Sequence, residues 1–190
     1  MSETTKNIFE ILDSNVRRQH DKMSTLIAKA INEIEIAANQ KDGLLGVPSG
    51  FTAIDRITGG WQKSDLMVIA SRPGMGKTAF VLSMAKNASV DFNKSVAIFS
   101  LEMSSIQLVK RLISSETEIH QSKILKGNLD NHEFVQLNER IKKLSSAPLY
   151  IDDTPALSLF ELRAKARRLK ENQKVELIIM PICLVLELQI

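Results

Sequence analysis

The hydrophobic positions in the first part of the chain repeat at helical spacing. One apolar stripe covers residues 8–16, with apolar side chains at four-residue intervals, and a second covers residues 23–34. The fully polar stretch 17–22 separates the two stripes. This pattern predicts two helices within residues 1–42, and it offers no strand in that region against which their apolar faces can pack.

From residue 43 onward, short apolar runs alternate with longer amphipathic stretches. Glycine and proline residues that are typical of turns occupy much of residues 43–60. Four apolar runs are short enough to be buried strands. They are Leu66–Ala70, Val96–Phe99, Leu149–Ile151 and Val175–Met180.

The stretches between these runs predict helices. Ser158 and Glu161 have the spacing of a capping box, and Ser104 is a suitable N-cap. Alternating strands and helices predict an α/β fold with a mostly parallel sheet flanked by helices. The predicted helices run from Gly76 or Lys77 to about Asn87, from Ser104 to about Thr117, from Asn131 to Leu144, and from Ser158 to about Glu171.

A phosphate-binding motif follows the first predicted strand. Backbone N–H groups of such a loop surround phosphate oxygens, and the following helix directs its positive end toward the anion. Lys77 would neutralise the β and γ phosphates, while the Thr78 hydroxyl would serve Mg²⁺, which prefers oxygen ligands. The position between a strand and a helix favours nucleotide binding over a chance glycine-rich turn. The motif matches G-x-x-x-x-G-K-[ST] except at its first position: Ser71-Arg72-Pro73-Gly74-Met75-Gly76-Lys77-Thr78.

A carboxylate follows the second predicted strand. Glu102 comes three residues after Phe99, at the carboxyl end of the strand, which is where ligands of parallel sheets bind. A carboxylate at that edge can orient the water that attacks a γ-phosphate, or accept its proton. The alternative is a glutamate that only favours the first turn of the next helix. Spacing alone leaves both interpretations open.

Composition adds little to these expectations. The chain has 190 residues, with 44% hydrophobic and 25% charged residues, which is the balance of a soluble globular protein. Its formal net charge of +3 is too small to indicate nucleic-acid binding by itself. The single cysteine, Cys183, excludes an intrachain disulfide. We expect an intracellular protein, since no apolar run suggests a secretory signal or a membrane span.

Five segments of the chain form a recognisable set in their order and spacing: Gly46–Phe51, Gly59–Trp61, Arg72–Phe80, Phe99–Met103 and Tyr150–Asp153. Together they resemble the C-terminal domain of DnaB-type replicative DNA helicases. The Ser-Leu-Glu-Met tetrapeptide and the Arg-Pro-x-Met-Gly-Lys-Thr loop are specific to this group among P-loop ATPases. The resemblance extends from about Asn7 to Met180 and implies a RecA-like P-loop fold.

The resemblance implies ATP hydrolysis coupled to movement on single-stranded DNA at the replication fork. It implies ATP and Mg²⁺ as cofactors, Glu102 as the catalytic base, Lys77 as the second catalytic residue, and nucleotide binding by residues Ser71 to Ala79. It also implies a cytoplasmic homo-hexamer, in which the first predicted helix links one subunit to the next. Primase and a helicase loader are the further partners that it suggests.

The chain also departs from the family pattern. In the family, the fourth strand ends in an aspartate that helps to hold Mg²⁺, whereas Pro181 follows Met180 here. We therefore expect a helical arm over residues 1–42, a RecA-like domain incomplete at its C-terminus over 43–180, and an aberrant tail over 181–190. On this view the truncated chain alone should not unwind DNA.

Two other functions compete with the helicase hypothesis. One is a RecA-like or KaiC-like P-loop ATPase with a different role. The other is a non-catalytic fragment that binds a helicase ring through its N-terminal helix. Basic residues near 163–168 are most simply a solvated helix face.

Overall fold

The computed structural model describes residues 22–39 and 44–181. The chain divides into two units, Met1–Lys41 and Asp42–Ile190, which are considered separately. In the first, helix α1 spans Met23–Asn39 and confirms the second predicted helix. Several of its apolar side chains are exposed, among them Ile27 and Ile31. The first predicted helix, over residues 8–16, lies outside the described residues.

The second unit alternates helices with strands, as the sequence predicted. Strand and helix bounds agree closely with four predicted helices and three of the four predicted strands. In chain order the elements are α2 (Thr52–Thr58), α3 (Lys77–Lys86), a π-helix (Asn87–Asp91), β1 (Val96–Phe99), α4 (Ser105–Thr117), α5 (Gln121–Lys126), α6 (Asn131–Ser146), β2 (Leu149–Asp152), α7 (Leu159–Gln173) and β3 (Leu177–Ile179).

The three strands form a parallel sheet in the order β2–β1–β3. Ile98 of β1 lies opposite Ile151 on one side and Ile179 on the other. Every residue of β1 is buried, since this strand is central in the sheet and covered on both faces. A continuous apolar run, instead of an alternating one, is what such a position requires.

Helices cover both faces of this sheet, which confirms the predicted α/β layers. On one face, Val96 and Ile98 pack in a cluster with apolar residues of α3 and α4, including Leu82 and Leu108. On the other face, Ala97 and Phe99 pack against α7. The alternation of the β1 side chains between two cores follows from the two-residue period of a strand.

The predicted strand Leu66–Ala70 is wrong as a buried strand. All five residues are solvent-exposed and none has strand structure; Leu66 is 92% and Val68 is 83% exposed. A strand needs a neighbour that accepts and donates along its backbone. Among the described residues, the run joins neither edge of the three-stranded sheet. Its apolar composition indicated a capacity for burial, and burial also requires a partner strand.

The sequence missed two short helices and the π-helix. Helix α2 has only seven residues and is followed by Gly59, whose φ of 68° is left-handed. Such a segment is too short to show a clear 3.6-residue period. It is held instead by a polar contact: the buried Asp55 carboxylate accepts the backbone N–H groups of Ser49 and Gly50, at 2.8 and 3.1 Å. Among the described residues, no helix has the length and hydropathy of a membrane span.

Candidate nucleotide-binding site

The P-loop motif forms an exposed turn that leads into α3. The Met75 N–H donates to the Arg72 carbonyl at 3.3 Å, closing a turn that contains Pro73. Gly74 and Gly76 have φ of 77° and 84°, a left-handed conformation that only glycine adopts at little cost. Both glycines are therefore required by the backbone path of the loop.

The surroundings of these glycines leave room for a ligand. A Cβ atom built on Gly74 or on Gly76 meets no atom within 4 Å. Open space thus lies directly beside the backbone, where phosphate oxygens approach in a P-loop. The residues present fit a bound phosphate group.

The first turn of α3 supplies the polar groups that such a ligand needs. The helix begins at Lys77, and its first turn contains no acidic residue. The Phe80 N–H donates to the Gly76 carbonyl at 2.9 Å, and the N–H groups before it point out of the helix end, as in every α-helix. Lys77 and Thr78 are half-buried, whereas residues 71–76 are exposed. The lysine, the hydroxyl and the helix amides therefore lie at one helix terminus, which favours an anion.

Glu102 lies on a turn between β1 and α4. Ser100 closes this turn, since its hydroxyl donates to the Met103 carbonyl at 2.7 Å and accepts the Met103 N–H at 3.2 Å. Ser104 then caps α4 in a capping box with Gln107. Glu102 is exposed, at the carboxyl end of the central strand. The Ser100 hydroxyl at the start of the turn and the Ser104 capping box at its end therefore hold the backbone that carries this carboxylate.

Two aspartates lie at the carboxyl end of the neighbouring strand, β2. Asp152 ends β2 opposite Phe99, and its carboxylate binds the Lys165 ammonium at 2.7 Å and the Thr154 hydroxyl at 2.6 Å. Burial raises the pKa of Asp152, but the hydrogen bonds from Lys165 and Thr154 outweigh that effect and hold the pKa below its usual range. Asp152 is therefore ionised under ordinary conditions.

Asp153 makes a contact that sequence reasoning missed. Its Oδ2 accepts the backbone N–H of Ser105, the first residue of α4, at 2.6 Å. Hydrogen bonding from Ser105 lowers the pKa of the Asp153 carboxyl. The sequence signal was available, because the Asp-Asp pair follows a predicted strand, but it gave no indication of a backbone partner 48 residues away.

The predicted site residues fall into two groups in the structure. Ser71 to Ala79 form one continuous loop and helix start, and Glu102 lies on the turn that precedes α4. Because α3 packs against α4, these groups belong to neighbouring elements of one layer. A separate cavity of about 550 Å³ lies between the sheet and α7, lined by residues including Tyr150 and Arg168, and contains none of the predicted site residues.

Comparison with known proteins identifies the family. The family model of the DnaB-like helicase C terminal domain matches residues 46–185, most of the chain. The chain belongs to the DnaB-like helicase family. This assignment confirms the resemblance carried by the P-loop and by the Ser-Leu-Glu-Met segment, and the match covers every residue predicted for the site.

Curated relatives agree with this family. The chain is 38% identical over 179 residues to the replicative DNA helicase DnaC of Bacillus subtilis, and 37% identical over 179 residues to DnaB of Geobacillus stearothermophilus. Each alignment covers 94% of this chain and 39% of the relative. The chain thus spans about two fifths of the length of these curated relatives.

The fold agrees with solved structures. One solved ATPase domain is similar with a TM-score of 0.78 and 31% identity, over 87% of this chain and 58% of that one. A second similar structure is that of a DnaB-like replicative helicase, described together with its interactions with primase. It gives a TM-score of 0.71 and 31% identity, over 94% of this chain and 42% of that one. The RecA-like α/β fold predicted for this DnaB-like chain is confirmed.

Proposed function

We propose that this DnaB-like chain binds Mg-ATP and forms the front part of the motor of a replicative DNA helicase. The observation that carries the proposal is the P-loop turn, where Gly74 and Gly76 adopt left-handed φ beside open space. The nucleotide-binding residues are Ser71, Arg72, Pro73, Gly74, Met75, Gly76, Lys77, Thr78 and Ala79.

Each polar group of the site has a separate role. The Lys77 ammonium neutralises the β and γ phosphates, and the backbone amides at the start of α3 donate to phosphate oxygens. The Thr78 hydroxyl contributes an oxygen ligand for Mg²⁺, which when bound offsets the charge of the phosphates. Arg72 lies in the exposed turn of the same loop.

Glu102 acts on the water that attacks the γ-phosphate. It lies on a turn at the carboxyl end of the central strand, and ligands of parallel sheets bind beyond the carboxyl ends of the strands. A base at this position can reach the water beside the bound nucleotide. The carboxylate orients this water and accepts its proton, while the water oxygen bonds to the γ-phosphorus. The bond between the γ-phosphorus and the β–γ bridging oxygen breaks, and ADP leaves. Lys77 stabilises the negative charge that develops on the transferred group.

The remaining functions are proposed for the whole helicase, of which this chain spans a part. We propose a cytoplasmic homo-hexamer on single-stranded DNA, with residues 1–42 as a linker arm between subunits. We propose residues 43–180 as the RecA-like domain and residues 181–190 as a C-terminal tail, into whose first residues, 181–185, the family match extends. Primase and a helicase loader are the proposed further partners. The family match favours this interpretation over a RecA-like or KaiC-like ATPase with another role.

The catalytic proposal is tested by phosphate release from saturating Mg-ATP. Glu102→Gln should retain nucleotide binding and lose turnover by about a hundredfold or more, the usual contribution of a general base. Glu139→Gln, an exposed glutamate on α6, is the matched control and should retain both. Equal turnover by the chain and by Glu102→Gln would contradict the role of Glu102. Loss of nucleotide binding in Glu102→Gln would instead place this residue in binding.

A further inference from the structure

Glu102 lies on a turn whose two ends are fixed in different ways. At its start, Ser100 follows the buried strand β1, and its backbone N–H donates to the Asp152 carbonyl at 2.8 Å. At its end, the Ser105 N–H donates to the Asp153 carboxylate at 2.6 Å. Both anchors belong to the carboxyl end of β2, so this strand holds the turn from both sides.

The two anchors differ in chemistry. The Ser100 contact continues the backbone pairing of two parallel strands and requires no particular side chain. The Ser105 contact depends on one side chain, because Asp153 is the acceptor. The distance is short, as expected for a hydrogen bond to an ionised carboxylate. Truncation of the Asp153 side chain therefore removes one anchor and leaves the backbone pairing of the sheet unchanged.

The neighbouring aspartate cannot replace this contact. Asp152 is occupied by Lys165 and Thr154 on the side of α7. The two carboxylates at the end of β2 therefore serve different elements: Asp152 binds α7, and Asp153 binds the start of α4. Of these two carboxylates, Asp153 is the one that contacts a residue next to the turn that carries Glu102.

We infer that Asp153 is a positioning residue for Glu102: by accepting the Ser105 N–H, it fixes the turn from Leu101 to Ser104 against the end of β2. This inference rests on the proposed function of Glu102. Without the anchor, the start of α4 and the turn before it move relative to the sheet. The Glu102 carboxylate then occupies its working position for a smaller fraction of time, while the P-loop is unaffected.

The inference predicts a separation between turnover and binding. Asp153→Ala should lower kcat by about tenfold, since small displacements of a catalytic group have effects of this size, and should leave KM and the affinity for a non-hydrolysable Mg-ATP analogue unchanged. Asp153→Asn retains an acceptor oxygen and should restore part of the lost kcat. The Asp153→Ala and Glu102→Gln effects should not add, because both act through one carboxylate.

A spectroscopic arm tests the contact independently of catalysis. In nitrogen-15 NMR spectra, the Ser105 and Glu102 amide signals should shift and broaden in Asp153→Ala, and return toward their original positions in Asp153→Asn. Asp130→Ala is the control, because Asp130 is an aspartate at the start of a different helix, α6, where its capping-box partner is Glu133. It should leave the Ser105 and Glu102 signals unchanged.

The outcomes are distinguishable. Unchanged Glu102 and Ser105 signals in Asp153→Ala, or equal losses of kcat in Asp153→Ala and Asp130→Ala, would overturn the inference. If the chain showed no turnover at all, the proposed hydrolysis by this chain would fail, and the amide signals alone would decide whether Asp153 holds the turn. Shifted Ser105 and Glu102 signals with a tenfold lower kcat would support it.

Discussion

The rings of Phe51 and Phe80 stack on each other, with centroids 4.9 Å apart and planes inclined by 16°. Phe51 precedes α2, whereas Phe80 is the fourth residue of α3, the helix that begins at the P-loop lysine. The stack therefore joins the glycine-rich segment 44–61 to α3, the helix proposed to bind nucleotide. Both rings also pack against the main apolar cluster, so the segment contributes to the same core as the sheet.

Loss of this stack should destabilise the protein. Phe51→Ala removes the ring contact and part of the cluster beneath it, so the free energy of unfolding should fall by about 2 kcal/mol. Urea denaturation measures this change. Phe160→Ala is the matched control, because Phe160 is 82% exposed, and should change the free energy by less than about 0.5 kcal/mol. Equal effects of the two substitutions would show that the stack contributes no stability.

Any side chain at position 50 should lower the free energy of unfolding. Its φ of 76° is left-handed, and an added Cβ would overlap the Asn87 side chain at the start of the π-helix. Gly127 offers a matched control, since its φ of 70° is similar and a Cβ there meets nothing within 4 Å.

The two glycine substitutions separate backbone strain from steric overlap. Gly127→Ala should cost about 1 kcal/mol for the left-handed backbone alone. Gly50→Ala should cost about 2 kcal/mol more, the usual penalty for overpacking. Thermal and urea unfolding of both variants measure the difference. Equal losses of unfolding free energy in the two variants would mean that segment 44–61 can move away from Asn87 without destabilising the protein.

The sequence predicted most of the elements around the site but could not supply every partner. Ser104 and Ser158 were correctly identified as caps because capping depends on residues only three positions apart. Strand Val96–Phe99 was identified because a central strand is apolar throughout. Both signals are local, and the structure confirms them.

The errors arise where structure depends on distant residues. The run Leu66–Ala70 has the composition of a buried strand, but no described strand pairs with it. Helix α2 is held by the Asp55 carboxylate and not by a periodic apolar face. The Asp153 contact joins residues that are far apart in the sequence. Periodicity identifies a capacity to pack, whereas these features depend on which partner is present.

Stability should decline in acid partly through Asp152. Because the folded-state pKa of Asp152 is held low by Lys165 and Thr154 despite the effect of burial, its contribution is fully present above the unfolded-state value of about 3.9. It is lost as the pH falls through the lower folded-state value. The free energy of unfolding should therefore decrease as the pH is lowered from about 5 toward 3.

The Asp152 contribution can be isolated by substitution. Asp152→Asn should lower stability at neutral pH and reduce the steepness of the acid decline, and Lys165→Met should act in the same direction through the same contact. Combining the two should give less than the sum of their separate effects. Urea titrations over a series of pH values measure these slopes. An acid decline as steep in Asp152→Asn as in the parent chain would rule out this contribution.

Binding of Mg-ATP, measured by isothermal titration calorimetry, tests the central claim most directly. The parent chain should bind with a stoichiometry near one, and Lys77→Ala should weaken binding by about tenfold or more, as expected when a charge-assisted hydrogen bond is lost. Lys142→Ala, an exposed lysine on α6, should bind like the parent. Circular dichroism should show that all three proteins are folded. A folded parent chain that produced no heat with Mg-ATP, or the same affinity in Lys77→Ala, would contradict nucleotide binding at the P-loop.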